Sequence, residues 1–200
     1  MEANEKNISP EEGLHLIHKM INTARNKVSE DGFHLMLWGI LVISCCLINY
    51  TLLVFEYGHW SGFVWMLMPF IGVPVGMIYE KKRALRGGVR THYDMHIAYM
   101  WWGYGLTLGL LIAYCIYSQI SPVPFILLIT GLVTFATGKM LQFTPLIMGA
   151  LIFWVSAMLC IWITGAEQLL VEAASIFFGY IVPGFILWRN AKQKHHVQTA

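Results

Sequence analysis

Charged side chains are scarce in this sequence: they make up 12% of the 200 residues, whereas hydrophobic side chains make up 57%. An ordinary soluble domain is about one quarter charged, so the composition excludes that class. The chain also lacks the phosphate-binding G-x-x-x-x-G-K-[ST] motif, the G-x-S-x-G nucleophile motif and the dinucleotide-binding fingerprint. These absences favour a membrane protein that is not an enzyme.

Cysteine is rare as well, and its placement does not suit a disulfide-stabilised domain. All four cysteines fall inside long apolar runs: Cys45, Cys46, Cys115 and Cys160. Neither a disulfide framework nor a cysteine metal site is therefore predicted. These side chains are expected to pack as small apolar groups.

Six apolar runs, each of 17 to 23 residues, dominate the rest of the chain. A helix needs about 20 apolar residues to cross a hydrocarbon core about 30 Å thick, within a range of about 17–25. All six runs satisfy that length, so the sequence predicts an all-α fold, a bundle of six transmembrane helices. The runs cover residues 33–55, 63–79, 95–117, 122–138, 145–164 and 169–188.

The 13 Lys and Arg residues all fall on alternate sides of these runs. They precede the first run, lie between the second and third or the fourth and fifth, or follow the sixth. The other three connections, "EYGHWSG", "SQIS" and "GAEQ", contain none. Because short loops rich in Lys and Arg stay in the cytoplasm, both termini are predicted to be cytoplasmic. The predicted location is a bacterial inner membrane.

The most basic stretch is 81–90, which holds five cations: Lys81, Lys82, Arg83, Arg86 and Arg90. Because it lies between two apolar runs, its main predicted role is to keep this loop on the cytoplasmic side of the membrane. Each cation near a membrane surface gains about 1 kcal/mol from anionic headgroups, so this loop is also expected to contact the lipid bilayer. Nucleic acid is not expected as a partner.

The segment before the first run indicates an amphipathic helix. Ser9 is placed to cap its start, Pro10 suits the first turn, and Glu11 and Glu12 suit the positive end of the helix dipole. Apolar residues then recur in steps of three and four and form one stripe: Leu14, Ile17, Ile21, Ala24 and Val28. We expect this stripe to be docked on the lipid interface, on the bundle or on a second chain.

The predicted organisation therefore has three parts. Residues 1–32 form a cytoplasmic or interfacial amphipathic helix, residues 33–188 form the six-span membrane domain, and residues 189–200 form a basic cytoplasmic tail. No cleavable signal peptide is expected, because several charges precede the first apolar run.

Two similar helix endings suggest internal repetition. The second run ends "GVPVGMIYEKK" and the sixth ends "YIVPGFILWRN", each with a Pro and a Gly shortly before a cation. This pattern favours three tandem helical hairpins within the bundle. Pro69, Pro74 and Pro183 are expected to bend the second and sixth helices, since each proline removes a backbone donor.

Few polar side chains lie at membrane depth, and each one raises a question of function. Glu172 lies one turn inside the sixth run, Asn49 lies late in the first, and Glu167 lies just before the sixth. Together they are candidates for a polar pathway. The competing interpretation is that Glu172 reaches the membrane surface while Asn49 bonds a neighbouring helix.

Histidines gather near the start of the third run. His92 and His96 are four residues apart, so on a helix they would share a face and could hold one divalent metal ion. The H-E-x-x-H pattern of zinc proteases is missing. Interfacial histidines without a metal are the competing interpretation, and no other cofactor is predicted.

The stretch "MINTARNKVSEDGFHLMLWG" at residues 20–39 resembles the opening of a group of small, uncharacterised bacterial integral membrane proteins. In that group a short charged amphipathic helix leads into about six membrane helices. The resemblance covers about a fifth of the chain and implies the same fold. It carries over no functional residue.

Three classes of function remain open on the sequence. The first is a non-enzymatic regulatory, scaffolding or accessory subunit that acts through helix contacts, as a homo-oligomer or with a membrane or cytoplasmic partner. The second is a small transporter or channel with a polar site near Asn49 and Glu172. The third is a membrane-embedded, metal-dependent enzyme that uses His92 and His96.

Overall fold

The computed structural model describes residues 32–85 and 92–189. The predicted amphipathic helix, most of the basic tail and residues 86–91 of the basic loop lie outside the described residues. Within the described part the chain consists of helices joined by short turns and has no strand. The prediction of an all-α fold is confirmed.

Six helices follow one another along residues 32–85 and 92–189. A short 3₁₀ turn, Gly58–Trp60, precedes the second. The helices are α1 (Gly32–Val54), α2 (Ser61–Leu85), α3 (His92–Tyr117), α4 (Val123–Met140), α5 (Thr144–Leu159) and α6 (Glu167–Arg189).

Five of these helices are long and apolar enough to cross a membrane, and α5 is the shorter one, with 16 residues. The apolar run predicted at 145–164 is thus helical only as far as Leu159, where the chain enters a turn. The described structure is therefore that of a multi-span membrane protein.

The helices pack in an order that differs from their order in sequence. Helix α2 packs on α1, α1 on α6, α6 on α5, α5 on α4, and α4 on α3, while α4 also touches α6. Among the described residues, α2 and α3 do not approach each other and lie at the two ends of this series. The core lies between α1, α4, α5 and α6, where Leu127, Leu146 and Phe153 are completely buried.

Glycines set the closest helix crossings. A Cβ atom added to Gly149 of α5 would lie 2.6 Å from the carbonyl oxygen of Gly179 in α6. A Cβ atom on Gly32 of α1 would lie 2.8 Å from the carbonyl oxygen of Gly184. Small residues let two membrane helices approach until their backbones touch, so α6 is held between α5 and α1 at these two crossings.

Helix α6 is not a regular α-helix throughout. It is α-helical over Glu167–Ile176, forms a π-helical turn over Phe177–Ile181, and is α-helical again over 182–189. The π turn comes just before Pro183, whose ring would collide with the carbonyl of Gly179 in an unbroken α-helix. The wider turn relieves that collision and changes the direction of the first half of the helix.

Three helices end in the same left-handed turn, although none of them uses glycine there. Glu56, Gln119 and Gln142 have φ angles of 64°, 56° and 51°. After each one, the next amide donates to the carbonyl five residues back, as in Tyr57 N–H to Leu52 at 2.7 Å. This Schellman arrangement satisfies carbonyl groups that a helix end would otherwise leave unpaired.

Helix α2 is fixed to α1 by polar and aromatic contacts near the start of α1. His34 Nε2 lies 2.9 Å from Glu80 Oε1, and the Phe33 and Tyr79 rings stack with centroids 3.9 Å apart. We call this the basic end of the bundle, because it carries the described Lys and Arg residues. The opposite end, formed by the connections 55–60, 118–122 and 160–166, is called the acidic end.

Candidate functional site

The interior of the bundle contains one buried carboxyl group. Glu172 is 1% exposed and lies on the face of α6 that packs against α1. The Cys46 thiol of α1 is its neighbour, while the Oε2 atom has no hydrogen-bond partner. No Lys, Arg or His among the described residues pairs with this carboxyl group.

A second unpaired oxygen lies on the facing helix. Asn49 is 5% exposed and comes three residues after Cys46, so both side chains lie on the buried face of α1. The Oδ1 atom of Asn49 has no hydrogen-bond partner. Buried polar atoms are nearly always paired in folded proteins. The helices α1 and α6 therefore each carry one buried acceptor that no described group satisfies.

Several ionisable side chains come close enough to Glu172 to interact with it electrostatically. They are thiols and a phenol, and none of them is cationic: Cys45 and Cys46 of α1, Tyr104 of α3 and Cys160 at the end of α5. The site therefore lies on the interface of α1 with α6, and none of these ionisable side chains supplies a compensating positive charge.

Buried hydroxyl groups continue this polar interior along α4. Tyr104 and Thr130 share a hydrogen bond of 2.8 Å, and one turn further along α4, Thr134 and Tyr180 share one of 3.0 Å. Thr130 and Thr134 are almost fully buried, and Tyr180 also packs edge-on against Phe153. These two pairs form a line of hydroxyl groups that runs from the level of Glu172 towards the basic end.

At the acidic end, one glutamine joins three segments of the chain. The Gln168 amide nitrogen donates to the carbonyls of Cys160 and Ile163, at 3.0 and 2.9 Å, and its oxygen accepts from the Ser121 hydroxyl. Gln168 lies one turn before Glu172 on α6 and is buried. It therefore covers the site on the acidic side and fixes the start of α6.

The candidate site residues predicted from the sequence differ from one another in burial. Asn49 and Glu172 are both buried, on the helices α1 and α6 that pack on each other, and Glu172 does not reach the surface of the bundle. Glu167 is exposed in the first turn of α6. His92 begins α3, but its side chain lies outside the described part, and His96 is exposed. Among the described residues no three His, Cys, Asp or Glu side chains form a group that could hold a metal.

The hydroxyl line and the Gln168 contacts were not among the features predicted from the sequence. One signal was present: Thr130, Thr134 and Thr137 recur in steps of four and three within an otherwise apolar helix. On a helix this spacing places three hydroxyl groups on one face. The partners Tyr104 and Tyr180 have no such signal, since tyrosine is common in membrane helices near their ends.

Neither a protein-family model, nor a curated protein, nor a solved structure matches this chain. The functional conclusion therefore rests on the side chains of the chain itself.

Proposed function

We propose that this protein is a small multi-span transporter or channel that passes a small cation through a site formed by Glu172 and Asn49. The single observation that carries this proposal is the Glu172 carboxyl group, which is fully buried, has no cationic partner within residues 32–85 and 92–189, and keeps one oxygen unpaired. A scaffolding bundle has no need of such a group, because an apolar side chain would pack there at lower free energy.

The proposed topology follows from the charges. We propose six spans with the basic end in the cytoplasm of a bacterial inner membrane, where residues 81–90 meet anionic headgroups. The described cations Lys81, Lys82, Lys139 and Arg189 support this orientation. Sixteen residues of α5 measure about 24 Å, and a membrane helix this short is accommodated by local thinning of the bilayer.

The proposed route runs from the acidic end past Glu172 and along the hydroxyl line. Gln168 covers the site on the acidic side, and Thr134 with Tyr180 lies on the basic side. In the structure the site is enclosed, so passage requires a second conformation. The π turn of α6, which lies between Glu172 and Pro183, is the segment where the helix has the least regular hydrogen bonding and where such a change would be centred.

Ion flux into proteoliposomes tests this proposal. The purified protein should dissipate an imposed gradient of protons, Na⁺ or K⁺, measured with an internal pH-sensitive or ion-sensitive dye. Glu172→Gln keeps the size of the side chain but removes its charge, so we expect flux to fall at least tenfold. Folded yield in detergent should be unchanged, because an amide can take the same place.

Glu56→Gln is the matched control. It is the same chemical change at an exposed carboxyl group in a connection of the acidic end, and its flux should equal that of the unmodified protein. If Glu172→Gln and Glu56→Gln carried the same flux, Glu172 would have no part in passage. If the unmodified protein gave no flux in any of the three gradients, the transport proposal would be wrong.

An accessory-subunit role is the second candidate, and the thin packing of α3 favours it. Of the described helices α3 packs only on α4, and Gly103, Gly105 and Gly109 have no atom within 4 Å of an added Cβ. Gly105 and Gly109 form the GxxxG spacing that lets membrane helices pair closely. Native mass spectrometry distinguishes the two candidates: a stable oligomer or complex without flux would favour the accessory role.

A further inference from the structure

We propose that the ligand of the Glu172 site is a proton, and that the enclosed conformation is the one in which Glu172 carries it and Asn49 accepts its hydrogen bond. This inference rests on the proposed function for its biological meaning, but it concerns a property that can be measured without transport.

The available ligand atoms favour a proton over a metal ion. Ca²⁺ takes six to eight oxygen ligands and Mg²⁺ requires near-octahedral oxygen coordination, but the unpaired oxygens here are one from Glu172 and one from Asn49. The neighbouring Cys45, Cys46 and Cys160 carry sulfur, which suits soft metals rather than alkali or alkaline-earth ions. The site therefore lacks the oxygens that would replace the hydration shell of a metal cation.

A proton also accounts for the unpaired oxygen of Glu172. When Glu172 Oε2 carries hydrogen, it changes from an acceptor into a donor. Asn49 Oδ1 is buried and unpaired on the facing helix α1, and it is the acceptor that we assign to this donor. An ionised Glu172 would instead leave a buried negative charge that no described cation reaches.

The transfer step is a simple acid–base exchange. On opening, the O–H bond at Oε2 breaks and the proton passes to a water or hydroxyl oxygen, which leaves a carboxylate on Glu172. On closing, a proton from the other side re-forms that bond. The titratable groups facing Glu172 from the packed elements are Cys45 and Cys46 of α1, Tyr104 of α3 and Cys160 beyond α5. None of them supplies a positive charge that would hold the carboxylate in the enclosed state.

Infrared difference spectroscopy on the full-length protein in lipid, at neutral pH, tests the inference. A protonated carboxylic acid has a carbonyl stretching band that is separate from amide and carboxylate bands and shifts in heavy water. We expect one such band, which is lost in Glu172→Gln and kept in Glu56→Gln. Asn49→Ala should shift the band to higher frequency, because the O–H donor loses its acceptor.

Each outcome separates this inference from the transport proposal. A band that is present and lost in Glu172→Gln, without any flux, would support proton binding and refute transport. Flux driven by Na⁺ or K⁺ in a protein without the band would refute proton binding while transport stands. If the band survived in Glu172→Gln, the proton would belong to another group and the inference would be wrong. If the band did not shift in Asn49→Ala, Asn49 would not be the hydrogen-bond acceptor of the protonated Glu172.

Discussion

Replacing Gly149 by alanine is expected to lower the free energy of unfolding by about 2–4 kcal/mol. The added Cβ atom would lie 2.6 Å from the carbonyl oxygen and 3.0 Å from the Cα atom of Gly179. Both are backbone atoms, so no side-chain rotation relieves the overlap. Helices α5 and α6 must move apart, which loosens the packing of Phe153 between them. Thermal unfolding in detergent micelles measures the effect.

Gly105→Ala on α3 is the matched control. An added Cβ atom there meets nothing within 4 Å, and alanine in a helix interior is favoured over glycine by about 0.5–1 kcal/mol. The control should therefore be neutral or slightly stabilising. Equal stability of the Gly149→Ala and Gly105→Ala proteins would contradict the close crossing of α5 and α6.

Replacing Glu172 by leucine is expected to abolish flux and to raise the free energy of unfolding by about 1–3 kcal/mol. Burying a carboxyl group away from water costs free energy even when it is protonated, and an apolar side chain of similar size removes that cost. The increase in stability is opposite in sign to the usual effect of a core substitution. It would show that the carboxyl group is kept for function at the expense of stability.

Gln168→Leu, one turn earlier on the same helix, provides the opposite case. Gln168 is equally buried, but its amide atoms are all paired with Ser121, Cys160 and Ile163. Its replacement should lower stability, because the hydroxyl and carbonyl partners lose their bonds. If Glu172→Leu and Gln168→Leu destabilised the protein alike, Glu172 would be an ordinary structural residue.

The helices themselves could be predicted from the sequence, because their apolar runs are long and uninterrupted. Residues 33–55 and 95–117 match α1 and α3 to within a few residues. The early end of α5 at Leu159 could not be predicted, since 160–164 is as apolar as the helix before it. The left-handed turns at Gln119 and Gln142 were also missed, because glycine is the usual signal and is absent.

The site could be predicted only in part. Glu172 and Asn49 can be recognised in the sequence as polar residues in apolar runs. Whether they face the same interface depends on which helices pack together. Helix α6 packs on α1, five helices earlier in the chain, and no local pattern gives that pairing. The π turn at Phe177–Ile181 likewise depends on Pro183 acting together with the tight crossing at Gly179.

Several predictions stay predictions. The amphipathic helix and its docked stripe, the His92 side chain and most of the basic tail lie outside the described residues. The tandem hairpins, the lipid contacts of residues 81–90 and a divalent metal at His92 and His96 are likewise untested. All of them except the tandem hairpins concern segments predicted to lie at the basic end, whereas the proposed site lies near the acidic end and does not depend on them.

Reaction with an apolar carbodiimide tests the central claim most directly. Such a reagent enters the bilayer and reacts with a protonated carboxyl group there, giving a stable N-acylurea that mass spectrometry locates. The account predicts one adduct per chain at Glu172, loss of flux in proportion to the adduct, and no adduct in Glu172→Gln. A water-soluble carbodiimide should instead modify exposed carboxyl groups such as Glu56 and Glu167 and leave flux unchanged. An apolar reagent that left Glu172 unmodified, or that modified it without any change in flux, would contradict the account.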